Sequence, residues 1–153
     1  MMLALALLLA GERVAIGAWD RWAAFADDAP RRCYAIAQPL LPDGSPDRRG
    51  AFAGVAAGAG SVRTFHLRLS RPRSPAATLT LAIDDRRFAL VGDATTARAP
   101  DPATDRAIVA AMRGARGMTL STLDRTGRPL TDAYALSGAA TAIDAAALGC
   151  LKN

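Results

Sequence analysis

Glutamate, histidine and lysine are nearly missing from this chain of 153 residues: Glu12, His66 and Lys152 are the only examples of each. One histidine confines any Ser-His-Asp or Cys-His site to position 66, and no Gly-x-Ser-x-Gly elbow supplies a nucleophile. Metal centres need clustered His, Cys, Asp or Glu, and no run here converges on such a set. Asp84 and Asp85 are adjacent, so on a strand their carboxylates would point to opposite faces; a turn suits them better. Gly58 and Gly60 lack the strand, spacing and following helix of a phosphate cradle. No catalytic residue, no metal ligand and no cofactor is expected, and the protein reads as non-enzymatic.

Aromatic residues are also scarce, at 5%, although 51% of the chain is hydrophobic. Alanine accounts for the difference and buries little area, so the core must rest on the Leu, Ile, Val, Phe and Trp residues. The length suits one domain. The formal charge of +5 comes almost wholly from arginine, and it permits nucleic acid, anionic lipid or an acidic protein surface as partner. The arginines are dispersed in twos rather than gathered into a stripe, which fits the usage of a GC-rich genome and ranks nucleic acid last.

Met1 to Ala10 is an unbroken apolar run, too short to span a bilayer and of the length of a signal-peptide core. No basic residue precedes it, and a buried first strand or helix is the alternative reading. Residues 1–18 are assigned to a signal peptide, cleaved near Ala10 or Ala18, and residues 19–153 to a single β-rich domain. An exported chain with two cysteines, Cys33 and Cys150, is expected to join them. Their separation fits neither a Cys-x-x-Cys redox site nor a zinc set.

Val14 to Phe25 reads as one extended strand whose Trp19, Trp22 and Phe25 plug the core rather than stack on a sugar or base. A turn at Asp27–Pro30 leads to a strand with Arg32, Tyr34, Ile36 and Gln38 on one face and Cys33, Ala35 and Ala37 on the other. Leu41 to Gly50 is a loop. Short strands follow at 51–55, 62–69, 79–83 and 88–91. Asp101 and Pro102 start a helix, and strands near 118–122 and 131–136 flank the Asp124–Gly127 turn. Ser137 should cap a last helix with Ala139, Ile143, Ala146 and Cys150 on one stripe, which places the second cysteine on the buried side. The fold class is mainly β (α+β): a single-domain antiparallel β-sandwich or open barrel, with an inserted helix at about 102–114 and a C-terminal helix at about 138–150.

The order of landmarks resembles a known family. Cys-Tyr-Ala-Ile-Ala-Gln-Pro at 33–39, Ala-Ala-Met-Arg-Gly at 110–114, Gly-Met-Thr at 117–119, Tyr-Ala-Leu-Ser-Gly at 134–138, Ala142-Ile143 and the terminal Cys150 are similar to the invasion-associated locus B family of exported alphaproteobacterial proteins. The resemblance implies a β-rich periplasmic or outer-membrane-associated domain with no catalytic residues to transfer, and in pathogenic members a part in host-cell invasion. The expected role is an interaction module for an acidic envelope component or protein partner, with Arg48, Arg49, Arg71, Arg73, Arg86 and Arg87 as the binding surface and no transmembrane span in the mature chain. The alternatives are a small hydrolase using His66 with an Asp, or an anionic-lipid or nucleic-acid binding module using arginines with an exposed Trp19 or Trp22.

Overall fold

Side chains in the first half of the chain alternate between fully buried and half-exposed, the signature of strands covered on one face only. The computed structural model describes residues 12–28 and 31–151. Its elements run β1 (Arg13–Trp19), β2 (Trp22–Asp28), β3 (Arg31–Ala37), β4 (Phe52–Ala57), β5 (Arg63–Arg68), β6 (Leu79–Ile83), β7 (Arg86–Gly92), β8 (Thr96–Arg98), α1 (Pro102–Gly114), β9 (Gly117–Leu123), β10 (Pro129–Ala135) and α2 (Ala139–Leu151). The strands form one open sheet in the order β1-β2-β3-β4-β5-β8-β7-β6-β9-β10, and every neighbouring pair is antiparallel. Leu40, just beyond β3, donates its amide to the Ala133 carbonyl at 2.7 Å and draws β10 toward the first strands. The mainly β character and both helices agree with expectation.

The span from Val14 to Phe25 differs. It is a hairpin, with Trp19 opposite Trp22 across a turn of Asp20 and Arg21. Asp20 adopts φ 52°, and Asp84 repeats that value in the β6–β7 turn; a short polar side chain tolerates this left-handed region in a tight hairpin. Residues 13–18, counted above with the leader, belong to β1. The apolar run at 1–10, Ala29, Pro30 and Lys152 lie outside the described residues.

α2 packs on β1 to β4 and α1 on β5 to β7, all on one side of the sheet. Beneath α2 the strands present Ala24, Ala26, Ala35, Ala37 and Ala53, and the helix answers with Ala139, Ala142 and Ala146. Methyl-sized side chains on both surfaces let the helix lie close to the strands. Bulkier residues fill the rest of the core, among them Phe65, Leu81, Ile108, Met112 and Leu120. Trp22 is only 1% exposed and donates its indole N–H to the Ala135 carbonyl at 2.8 Å. Trp19 is half-buried against the same core. Neither tryptophan lies on an exposed binding face.

α1 begins as expected: the Asp101 carboxylate accepts the Thr104 amide at 2.7 Å, with Pro102 in the first turn. At α2 the sequence expectation fails. The Ser137 hydroxyl donates to the Asp20 carboxylate at 2.6 Å, tying the first hairpin to the start of the helix, and Gly138 supplies the carbonyl that accepts Ala142 N–H. Gly138 has φ 88°, and a Cβ there would stand 2.0 Å from the Trp19 carbonyl oxygen. Only glycine meets both conditions.

Cys33 and Cys150 are bonded, with Cα atoms 5.8 Å apart and a separation of 117 in sequence. Cys33 lies on the inward face of β3 and Cys150 in the last turn of α2, so the bond pins that helix to the sheet. A loop of this length restricts the unfolded chain by about 4 to 5 kcal/mol in the chain-entropy account. Replacing both cysteines with alanine should therefore lower the melting temperature by roughly 10 °C or more, and dithiothreitol should shift the wild type by a similar amount while leaving the double variant unmoved in thermal denaturation.

Candidate functional site

The face of β1 to β5 turned away from the helices carries what the inner face lacks. Register partners share a face, so Arg13 and Asp27, Phe25 and Tyr34, and Tyr34 and Ala56 line up across it. In the next row Ile36, Gly54, His66 and Arg98 are successive partners, and beside them Phe52, Arg68 and Thr96. All these side chains are half-buried or exposed, apart from the glycine. The floor thus holds three of the chain's few aromatic residues together with its only histidine.

The rings pack on one another. Phe25 and Tyr34 are tilted with centroids 6.0 Å apart, and Phe52 meets His66 edge to face at 5.7 Å. The Arg13 guanidinium lies 5.6 Å from the centroids of both Phe25 and Tyr34 and pairs with Asp27 at 3.3 Å. Asp27 is the sole carboxylate on this face of these strands, against Arg13, Arg32, Arg68 and Arg98. Two adjoining depressions of about 390 and 490 Å³ share Arg13, Ile36 and Phe52 in their lining.

Gly54 makes room for the imidazole: a Cβ at that position would stand 2.6 Å from His66 Nε2. Burial pushes the His66 pKa below its ordinary value, with the Thr64 carbonyl and Asp105 acting weakly the other way. The Asp105 carboxylate itself accepts the Phe65 amide at 2.8 Å. Among the described residues no carboxylate hydrogen-bonds His66, and no three His, Cys, Asp or Glu side chains are grouped as a metal would need.

The six arginines expected to form one binding surface are separated. Arg71 and Arg73 precede β6, whereas Arg86 and Arg87 sit beyond its opposite end. Arg73 is 8% exposed and donates to the carbonyls of Asp93, Ala77 and Gly92 at 2.7 to 2.8 Å, so it fastens a loop rather than meeting solvent. Arg71 pairs with Asp124 at 2.9 Å; the Thr126 hydroxyl, with help from Arg71 and nearby amides, holds that carboxyl far below the usual range. Arg49 grips the buried Asp47 at 2.6 Å, and Arg86 lies over Phe88 at 5.0 Å. Arg48 and Arg87 are exposed. Arg13, Phe52 and Arg98 escaped the sequence reading, and Phe25, expected to plug the core, stands on the outer face instead because its β2 position alternates with the buried Ala24 and Ala26; the alternations that set Arg32, Tyr34 and Ile36 together, and His66 and Arg68 together, were the local signals.

These features define a class: an antiparallel β protein with two helices on one face, a disulfide closing the chain, and a cationic aromatic surface on the other face. Its fold is similar to that of invasion associated protein B from Bartonella henselae, whose crystal structure superimposes with a TM-score of 0.70 at 15% identity, over 92% of this chain and 99% of that one. At this identity the likeness is one of fold. No protein-family model matches the chain, and no curated protein matches it in sequence. No helix among the described residues is long and apolar enough to cross a membrane.

Because burial keeps His66 neutral in the fold while the unfolded chain protonates near pH 6.5, its contribution is complete above that pH and is lost as pH falls toward the lower folded value. His66→Phe should flatten the decline in melting temperature between neutral and mildly acidic buffer, measured by scanning fluorimetry. Arg73→Ala should cost roughly 1 to 3 kcal/mol, because three part-buried carbonyls lose a charged donor, whereas Arg87→Ala should stay within about 0.5 kcal/mol in urea unfolding.

Proposed function

We propose that this protein is a non-enzymatic interaction module of the bacterial envelope, exported to the periplasm or outer membrane, and that it works through the outer face of β1 to β5. The observation that carries this reading is the concentration of aromatic side chains and unneutralised arginines on a sheet face that no other part of the described chain covers. Single exposed apolar residues need no explanation, but a contiguous patch with one sign of charge does.

The setting is supported separately. A disulfide joining distant parts of the chain persists in an oxidising compartment and is reduced in the cytosol. The fold likeness and the ordered motifs both point to the invasion-associated locus B type, which implies the envelope. The leader then ends near Ala10 rather than Ala18, since a cut after Ala18 removes Arg13 and nearly all of β1, whereas a cut after Ala10 leaves the strand whole.

Fractionation of a host expressing the full chain tests this. The expected result is recovery in the periplasmic or outer-membrane fraction, a mature N-terminus close to Gly11 by mass spectrometry, and a linked Cys33–Cys150 peptide pair. Cytoplasmic retention with two free thiols would overturn the reading.

A further inference from the structure

The chemistry of the outer face selects among acidic partners. Its centre is built from β2, β3 and β4, each paired on both sides, so their backbone amides and carbonyls are already satisfied by neighbouring strands. An extended peptide laid across this floor would find no main-chain partners there. A stacked nucleobase would find little more: the Arg13 guanidinium sits over the Phe25 and Tyr34 rings, and Phe52 and His66 face each other. What the face offers is an apolar trough through Ile36 and Phe52, flanked by Arg32, Arg68 and Arg98, for which the described residues supply no carboxylate.

We propose that this face binds anionic phospholipid, its phosphate taken by guanidinium groups of Arg68 and Arg98, diagonal neighbours on the paired strands β5 and β8, and an acyl chain lying along the Phe25–Ile36–Phe52 floor. Guanidinium groups match phosphate oxygens in forked geometry, and three of these four arginines have no internal acid to give up first. Asp27 is held by Arg13, which removes the one like-charge penalty to an incoming phosphate. The chain needs no amide partners, which is the property the paired strands demand. The two depressions meet at Ile36 and Phe52, so a single chain passes from one to the other. The assignment rests on the proposed envelope location only for where such lipid is met, and its test is made on purified protein.

The test is co-sedimentation of the purified full chain with phosphatidylglycerol or phosphatidylcholine vesicles at low ionic strength. Phosphatidylglycerol should be preferred by about tenfold or more, and added salt should erode the preference. Arg68→Glu/Arg98→Glu should reduce binding about tenfold or more, while the control Arg106→Glu/Arg125→Glu, with the same change in net charge on exposed positions, the first on the helix that covers the opposite side of the sheet, should stay within about twofold. In calorimetry, dihexanoyl-phosphatidylglycerol should bind about tenfold or more tighter than glycerol phosphate, since only the former fills the floor. Equal loss in the two double variants, equal affinity for both lipids, equal affinity for the bare headgroup, or tighter binding of polyglutamate or a single-stranded oligonucleotide would each overturn the assignment. Lipid binding by a chain retained in the cytoplasm would sink only the location, and envelope recovery without lipid binding would sink only the ligand.

Discussion

The close contact between α2 and the first four strands is the constraint on which the other features depend. Cys150 anchors the last turn of the helix to Cys33 on β3, and Gly138 brings its first turn against the Trp19 carbonyl. With both ends fixed so near the sheet, the strands beneath have room for little more than methyl groups, and Ala24, Ala26, Ala35, Ala37 and Ala53 occupy those places. A β-strand has only two faces. Apart from Trp22 at the start of β2, the inward positions of β2 and β3 are small, so the other large side chains on those strands stand outward, and that is where Phe25, Tyr34 and Ile36 are found. The aromatic surface is the other side of the same packing solution.

This coupling explains what was legible in the sequence. Asp101–Pro102 marked the start of α1 because a cap and a proline act locally, and the stripe through Ala139, Ile143, Ala146 and Cys150 oriented α2 because helical spacing is local too. The pairing of the two cysteines needed only their number and compartment. The strand alternation in β3 sorted its residues correctly into two sets, but alternation cannot say which set a helix from the far end of the chain will cover. A habit of reading large residues as core sets the aromatics inside, and the structure sets three of the eight, Phe25, Tyr34 and Phe52, outside. The β1–β2 hairpin was missed for a related reason: its turn uses Asp20 and Arg21 in place of Asn-Gly or Asp-Gly, so the break carries no strong sequence signature.

The arginines show how one residue type divides by geometry. Arg73 and Arg71 leave a loop close to backbone carbonyls and the Asp124 carboxylate, and their side chains turn to them. Arg32, Arg68 and Arg98 leave interior strands whose backbones are already paired, so nothing nearby competes for their guanidinium groups. Loop position, taken in sequence as a sign of solvent exposure, holds structural arginines at 71 and 73, while strand positions 32, 68 and 98 hold available ones. Charge counted along the chain could not separate the two, because the difference lies in which backbone groups remain unpaired.

The likeness to invasion associated protein B at 15% identity is one of backbone path. The features that fix this architecture are few and inward: a disulfide, an alanine-lined contact, the indole of Trp22 bonded to Ala135, and a glycine that no side chain can replace. They set the path of the backbone without dictating the outer residues of β2 to β5, which touch mainly each other. Substitutions there change charge and shape at small cost to the core, so two chains can share this frame and present different surfaces. In this chain the face away from the helices is cationic, apolar along its centre and closed to main-chain pairing.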